Sequence, residues 1–193
     1  GFSFDASFSL IVPLGTHYWG TEEAAQAALR WVRCILTYQG GARCVFHNGL
    51  FDCYWLALVL GIELPAWCMD TLGLHADLDP AEEHGLDFLA SVYTREPYWA
   101  DYDDTLEALW TYCGVDVCVT RVLFDVLRAL LGDRLPHYCQ YFGKLYGPLL
   151  RLMRNGILVD EERRGHMVSA LDVRVTELKA RLLGEQPADL TER

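Results

Sequence analysis

Several features that define common classes of protein are missing from this chain of 193 residues. It has no uninterrupted apolar run long enough to cross a bilayer, so we expect no membrane partner. Its first residues lack the basic region that begins a signal peptide. They also lack an initiator methionine, which predicts a processed chain or a fragment.

The cysteines lack the pairing that marks a zinc knuckle or a thioredoxin site. Seven cysteines are an odd number, no two of them form C-x-x-C, and most lie in apolar stretches. No pair of histidines has the spacing of zinc ligands. We therefore expect reduced cysteines packed in the core of an intracellular protein.

Positive charge is scarce as well. The chain carries 16 lysines and arginines against 27 acidic residues, which gives a formal net charge of −11. Proteins that hold nucleic acid by counterion release are usually basic, so this charge argues against a DNA-binding module that acts alone. It is compatible with an acidic site that reaches phosphates through divalent cations. It also fits a domain whose basic DNA-binding surface lies elsewhere in a longer protein.

The hydrophobic pattern, in contrast, is that of a folded α/β domain. Hydrophobic residues make up 52% of the chain, which argues against disorder. Short apolar runs alternate with helical patterns in the first two-thirds, which predicts helices packed on a sheet, and the last third is all-helical. The predicted strands are Phe2–Asp5, Phe8–Val12, Arg43–His47 and Trp67–Asp70, and the predicted helices begin near Thr21, Asn48, Thr71, Gly85, Asp104, His137 and Asp160. Thr21, Asn48 and Asp104 are the predicted N-caps of their helices.

Two short motifs about sixty residues apart carry the candidate chemistry. The first runs from Asn48 to Asp52, with Asp52 in the first turn of a helix at a strand end, where ligand sites of α/β folds gather. Taken alone, Asp52 is better explained as a complement to the helix dipole. The second runs from Tyr112 to Asp116, which share one face of a continuous helix. Taken alone, this motif also describes an ordinary amphipathic helix.

Together and in this order, the two motifs resemble the proofreading 3′–5′ exonuclease domain of family A DNA polymerases. Asn48 to Asp52 is similar to the second exonuclease motif, Asn-x-x-x-Asp, and Tyr112 to Asp116 is similar to the third, Tyr-x-x-x-Asp, of the tyrosine-bearing DEDD enzymes. Other segments that resemble this family, especially its phage members, are Met69–Leu72, Gly85–Ala90, Tyr93–Trp99, Leu145–Leu150 and Gly156–Asp160.

The resemblance implies a ribonuclease H-like α/β fold over residues 1–134, with a mixed sheet flanked by helices. Residues 135–193 would be a helical connector and the start of a polymerase module of the same polypeptide. The implied substrate is the single-stranded 3′ end of DNA, in the cytoplasm of a bacterial or phage-infected cell.

The resemblance also implies a site for two Mg²⁺ or Mn²⁺ ions. Asp52 and Asp116 would bind the metals, and Tyr112 would orient the attacking water. Asn48 and Phe51 would contact the substrate.

The first motif of this family, Asp-x-Glu on the first strand, has no counterpart ahead of Asn48. The one Asp-x-Glu in the chain, Asp160-Glu161-Glu162, is interpreted as the start of a helix. We therefore expect a domain truncated at its N-terminus, which lacks its first strand and has little or no exonuclease activity. The longer parent protein would have the activity.

Three alternatives remain open on the sequence. The chain could belong to an RNA-processing exonuclease of the same superfamily, to a non-catalytic exonuclease-like scaffold of a polymerase, or to a non-enzymatic interaction domain.

Outside the motifs, His47 is expected to pack or form a hydrogen bond at a strand end, and Asp70 to cap the next turn. Arg95 with Tyr98 and Trp99 is either a loop anchor or a contact with DNA or with the polymerase module. A basic cluster on the connector consists of Arg151, Arg154, Arg163 and Arg164.

Overall fold

A computed structural model describes residues 1–37, 44–64, 69–99 and 105–184 of the chain. By contacts, the chain divides into two compact units, Gly1–Arg154 and Asn155–Arg193. The strands are β1 (Phe2–Ser3), β2 (Ser9–Leu10), β3 (Val45–Phe46) and β4 (Met69–Asp70). The helices are α1 (Thr16–Trp19), α2 (Glu22–Thr37), α3 (Gly49–Leu60), α4 (Thr71–Leu78), α5 (Leu86–Tyr93), α6 (Leu106–Leu131), α7 (Leu135–Asn155) and α8 (Glu161–Gly184), with a 3₁₀ turn at Gly132–Arg134.

The fold is α/β-like and mostly helical, with strands of two residues each in the described ranges. These strands form two separate pairs. Strands β1 and β2 are antiparallel, with Phe2 opposite Leu10. Strands β3 and β4 are parallel, with Phe46 opposite Asp70. The predicted strands are thus present but shorter than expected, and the predicted residues 43, 67 and 68 lie outside the described ranges.

The hairpin between β1 and β2 is ordered by its turn. The Asp5 carboxylate accepts hydrogen bonds from the backbone N–H groups of Ser7 (2.7 Å) and Phe8 (2.9 Å) and from the Ser7 hydroxyl (3.0 Å). These bonds lower the pKa of Asp5, with the Ser7 N–H as the largest cause. Side-chain turns of this kind are typical of aspartate in tight loops.

Helix α6 is the centre of the main core. It is capped by Thr105, whose hydroxyl accepts a hydrogen bond from Ala108 N (3.2 Å), one residue later than the predicted cap at Asp104, which lies outside the described ranges. The helix continues through Gly114 without interruption, and it packs against α4 and α5. Its buried side chains Leu123 and Leu127 meet Leu74 of α4 and Leu89 of α5. Burial of each such leucine stabilises the fold by roughly 1.5–3 kcal/mol.

A smaller cluster joins α2 to the C-terminal end of α3. Its buried members are Val32, Leu36 and Ile62. Thr21 caps α2 as predicted, because its hydroxyl accepts a hydrogen bond from Ala24 N (3.2 Å). The guanidinium of Arg33 donates to the carbonyl of Leu60 (2.8 Å), where α3 ends. This contact fixes the two helices to each other beside the cluster.

Helix α7 belongs to the first compact unit, although the sequence placed a domain boundary at residue 134. Its Tyr138 is fully buried in the core around α6. Its Tyr146 donates a hydrogen bond to Asp70 at the end of β4. By contacts, the unit therefore extends to Arg154.

The described part of the second unit is built on α8. Asp160 caps this helix by accepting a hydrogen bond from Arg163 N (2.9 Å), which confirms that the Asp-x-Glu segment starts a helix. Across the described ranges, no helix is long and apolar enough to span a membrane. The six described cysteines form no disulfide with one another.

Candidate active site

The first motif begins with an unusual backbone conformation at Asn48. This residue lies at the N-cap of α3 with φ 60° and ψ 44°, in the left-handed region that asparagine tolerates better than most residues. Asn48 therefore occupies the predicted N-cap position, but its side chain makes no capping hydrogen bond. Gly49 follows where a Cβ would lie 2.7 Å from the Cβ of Phe46, so the tight exit from β3 requires glycine.

Asp70 supplies the missing cap from the neighbouring strand. One carboxylate oxygen accepts a hydrogen bond from Asn48 N (3.0 Å) and the other from Gly49 N (2.8 Å). The same side chain caps α4 by accepting a hydrogen bond from Leu72 N (2.9 Å). The Tyr146 hydroxyl donates a fourth hydrogen bond (2.6 Å). Asp70 is only 2% exposed, and these four donors compensate the loss of water. The predicted cap at the start of α4 is confirmed, whereas the links to α3 and α7 were not predicted.

Asp52 lies in the first turn of α3, where the sequence placed it. Its side chain is accessible to solvent, yet surrounding protein partly desolvates the carboxylate and raises its pKa. The negative charge of Asp70 raises the pKa of Asp52 by a smaller amount, and the ammonium group of Gly1 lowers it. Asp52 is therefore a carboxylate whose ionised form would gain from a nearby cation.

Tyr112 and Asp116 lie one turn apart on α6, as predicted. Asp116 is half-buried and accepts a hydrogen bond from the indole Nε1 of Trp99 (2.8 Å). Desolvation raises the pKa of Asp116, and hydrogen bonds from Trp99 and Tyr112 lower it in part. The Asp116 carboxylate thus accepts hydrogen bonds from two side chains, Tyr112 of the same motif and Trp99 from the preceding loop. Trp99 is a loop anchor in this arrangement, one of the three roles that the sequence left open.

The chain's first residue lies beside the second motif. A Cβ built on Gly1 would be 3.4 Å from the carbonyl oxygen of Cys113, between Tyr112 and Asp116 in sequence. The Gly1 ammonium is also close enough to Asp52 to lower its pKa. The segment around Gly1 therefore packs against α6, and its charge acts on Asp52 of α3 through space.

Phe51, the second predicted substrate contact, presents an exposed ring next to Asp52. The side chain is 57% exposed. Its ring lies edge-on to that of Trp55, with centroids 6.2 Å apart. Two exposed aromatic rings on one helix face beside a carboxylate can stack on unpaired bases.

The donor chemistry of the motifs suits a hard divalent cation. Asp52 and Asp116 are both carboxylates whose pKa is raised by desolvation, and Mg²⁺ prefers carboxylate oxygens with retained waters. Within the described ranges, however, no group of three or more histidine, cysteine, aspartate or glutamate side chains could hold a metal ion. Neither carboxylate contributes to the pKa shift of the other, so each is suited to give one ligand to a cation and the two do not form a common site.

Two histidines form a contact that the sequence did not predict. The Nδ1 atoms of His75 and His84 are 2.7 Å apart, so one ring donates and the other accepts. Burial lowers the pKa of His75, and the charge of His84 lowers it further. His47 behaves as expected for a strand-end residue, since its Nδ1 lies 2.9 Å from the Thr71 hydroxyl and burial lowers its pKa.

The predicted basic cluster is partly engaged in ion pairs. Arg154 pairs with Glu63 (2.8 Å) and Arg164 with Glu161 (2.6 Å), each inside its own compact unit. Exposed pairs of this kind contribute little stability, typically below about 1 kcal/mol. Arg151 is exposed on α7.

A cleft of about 550 Å³ lies on a different side of α6 from Asp116. Neither Asp52 nor the Tyr112–Asp116 pair lines it. The cleft is lined by the β1–β2 hairpin, by α6 and by the segment that follows α5. The lining residues are Ala6, Ser7, Ser9, Thr94, Arg95, Glu96, Trp110, Thr111, Gly114, Val115, Cys118, Val119 and Val122.

Comparison of the chain with protein-family models, with curated proteins and with solved structures gave no match.

Proposed function

We propose that this chain is part of a 3′–5′ exonuclease of the ribonuclease H-like type, which removes the terminal nucleotide of single-stranded DNA in a polymerase. The observation that carries the proposal is the group formed by Tyr112, Asp116 and Trp99. A half-buried carboxylate with a phenol one helical turn away is suited to hold a cation and to position a water beside it. The resemblance of both motifs to the exonuclease family supports the same reaction.

The residues have distinct roles in this proposal. Asp52 and Asp116 would hold divalent ions, Mg²⁺ or Mn²⁺, which supply Lewis-acid stabilisation of the phosphate when bound. Tyr112 would accept a hydrogen bond from the attacking water and thereby orient it. Trp99 fixes the orientation of Asp116 through its hydrogen bond. Phe51 would stack on a terminal base, and the backbone at Asn48 would approach the substrate.

The incomplete ligand set predicts a low rate for the chain as given. With two carboxylates, a cation is held weakly and its geometry is poorly defined, and geometry decides the rate. A non-catalytic scaffold is the second candidate, and the lack of a three-ligand group in the described ranges favours it. The proposal and this alternative differ in whether Asp116 supports any cleavage.

The first prediction concerns cleavage of a 5′-labelled single-stranded oligonucleotide in Mn²⁺. We expect slow, stepwise shortening from the 3′ end that Asp116→Asn and Asp52→Asn each reduce at least about 100-fold, because each removes a metal-binding charge. Asp125→Asn is the matched control, since Asp125 is an exposed acid on the same helix and pairs with Arg121. A single-stranded RNA of the same sequence tests the RNA-processing alternative.

A gain-of-function variant separates an incomplete site from an inactive one. An N-terminal extension carrying Asp-x-Glu would place two further carboxylates near Gly1, which adjoins Cys113 and influences Asp52. We expect the extension to increase cleavage and the Asp116→Asn variant of the extended chain to lose it. No cleavage by either chain, with no Asp116-dependent Mn²⁺ binding in calorimetry, would contradict the exonuclease proposal and favour the scaffold.

A further inference from the structure

The cleft beside α6 has the composition of a small-molecule site. Its volume of about 550 Å³ lies within the roughly 300–1,000 Å³ typical of such sites. Val115, Val119 and Val122 form an apolar floor, and Trp110 stands at one side. The rim carries hydroxyl groups and one pair of opposite charges, Arg95 and Glu96.

Local hydrogen bonds hold the charged part of this rim. The Thr94 hydroxyl donates to the carbonyl of Ala90 (2.7 Å) at the end of α5 and accepts from the N–H of Glu96 (3.1 Å). The turn that carries Arg95 and Glu96 is therefore tied to α5. Within the described part of the chain, neither charged group forms an ion pair.

The opposite side of the cleft is held by the hairpin. Asp5 orders the turn at Ser7 through three hydrogen bonds. Ser9 approaches α6 so closely that a Cβ on Gly114 would lie 2.8 Å from its hydroxyl oxygen. The Trp110 ring is fixed by an edge-to-face contact with Tyr18, with centroids 5.7 Å apart. The walls are thus defined by contacts of the folded chain without a ligand.

We propose that this cleft binds a nucleoside 5′-monophosphate whose base carries an amino group. The flat base would lie on the valine floor beside Trp110, and the single phosphate would pair with Arg95. The Glu96 carboxylate would accept a hydrogen bond from the amino group. A second or third phosphate would add negative charge that Arg95 alone does not balance in a chain of net charge −11, so monophosphates are preferred.

The site is independent of the exonuclease motifs, since Asp52, Tyr112 and Asp116 do not line it. Binding is therefore tested in EDTA, where no divalent ion is present and no cleavage occurs. Failure of this test leaves the exonuclease proposal unchanged, and failure of the nuclease assay leaves this one unchanged.

Cys118 provides a local reporter because its thiol lines the cleft. Alkylation by iodoacetamide is followed by peptide mass spectrometry, with Cys34, an exposed thiol on α2 outside the lining, as the internal control. We expect AMP to slow modification of Cys118 at least about fivefold, with half-maximal protection below about 1 mM, and to leave Cys34 unchanged. Calorimetry of AMP binding in the same buffer measures the affinity without reliance on the thiol.

Matched variants and ligands test each contact. Arg95→Gln is expected to weaken AMP binding about tenfold, whereas Arg151→Gln, an equal charge change on α7, leaves it unchanged. Glu96→Gln is expected to reduce the preference for AMP over TMP. Binding of TMP, ATP or phenylalanine as tight as that of AMP would overturn the proposal. So would the absence of AMP binding by both calorimetry and Cys118 protection.

Discussion

At the scale of single residues, one buried carboxylate organises the candidate active site. Asp70 accepts hydrogen bonds from the first turns of α3 and α4 and from Tyr146 of α7. It is not one of the predicted site residues, yet it holds the backbone at the start of α3, the helix that carries Asp52. Its role is to position the site and to stabilise the fold.

Replacement of Asp70 by asparagine is therefore expected to be strongly destabilising. The amide cannot accept four hydrogen bonds, and its NH₂ group would face another donor, so we expect a loss of about 3 kcal/mol in the free energy of unfolding. Urea denaturation followed by circular dichroism measures it. The control is Asp133→Asn, because Asp133 is an exposed carboxylate in the turn before α7. This variant should change the free energy of unfolding by less than about 0.5 kcal/mol. Equal effects of the two variants would contradict the role assigned to Asp70.

The buried His75 predicts a pH dependence of stability. Its pKa is lowered in the folded chain from 6.5, by burial and then by His84, so the unfolded chain binds more protons just below pH 6.5. The free energy of unfolding is then lost as pH falls from about 6.5 toward the lowered pKa. The charges of Asp79 and Glu82 oppose this lowering of the His75 pKa. The ring of Tyr93 also contacts the His75 ring.

His75→Leu should therefore lose less stability than the wild type between pH 7.5 and pH 5. Urea denaturation at both pH values measures the difference, and the raised pKa of Asp52 and Asp116 affects both proteins alike. His137→Leu serves as the control, because its ring is exposed on α7 and the variant should keep the wild-type dependence. An identical pH dependence of His75→Leu and wild type would refute the assignment.

At the scale of elements, helix α6 carries both the third motif and the floor of the cleft. Gly114 lies in its interior, where glycine costs roughly 1 kcal/mol relative to alanine. A Cβ there would meet only the Ser9 hydroxyl oxygen within 3 Å, and that group can rotate away. The helix therefore contains glycine at a position that alanine can occupy.

Gly114→Ala is accordingly expected to stabilise the protein by about 0.5 kcal/mol, measured by urea denaturation. In the double variant Ser9→Ala with Gly114→Ala, the close contact is absent and the gain should approach about 1 kcal/mol. Destabilisation of both variants would mean that the hairpin and α6 cannot accommodate a methyl group at this contact.

The local elements were largely predictable from the sequence, because each depends on nearby residues. Thr21, Asp70 and Asp160 cap helices where the pattern placed them. The cap of α3 was not predictable, since it comes from Asp70 on another strand. The His75–His84 contact and the bond from Tyr146 to Asp70 also join residues that no short-range pattern relates. Tyr112 and Asp116 were placed correctly on one helix face because their spacing alone determines it.

At the scale of the whole molecule, the position of the unit boundary has a measurable consequence. The sequence placed the end of the exonuclease domain at residue 134, whereas contacts extend the first unit to Arg154. The difference is α7, which supplies the fully buried Tyr138 and the hydrogen bond of Tyr146.

Two truncated chains test this boundary. Residues 1–154 should melt within a few degrees of the first transition of the full chain, because every contact described for the first unit is kept. Residues 1–134 should lose about 4 kcal/mol or fail to fold cooperatively, since removal of a buried aromatic side chain alone costs about 3–5 kcal/mol. Thermal unfolding followed by circular dichroism measures both. Equal melting temperatures would support the boundary at residue 134.

The bond from Tyr146 to Asp70 also has a consequence for biosynthesis. Synthesis proceeds from the N-terminus, so Asp52 and Asp70 leave the ribosome well before Tyr146. Until α7 has emerged, the carboxylate that fixes the start of α3 lacks one of its four donors. We expect nascent chains that end before residue 146 to be more sensitive to protease than chains that end after residue 154. The first candidate motif, Asn48 to Asp52, would thus mature only after translation has passed it by more than ninety codons.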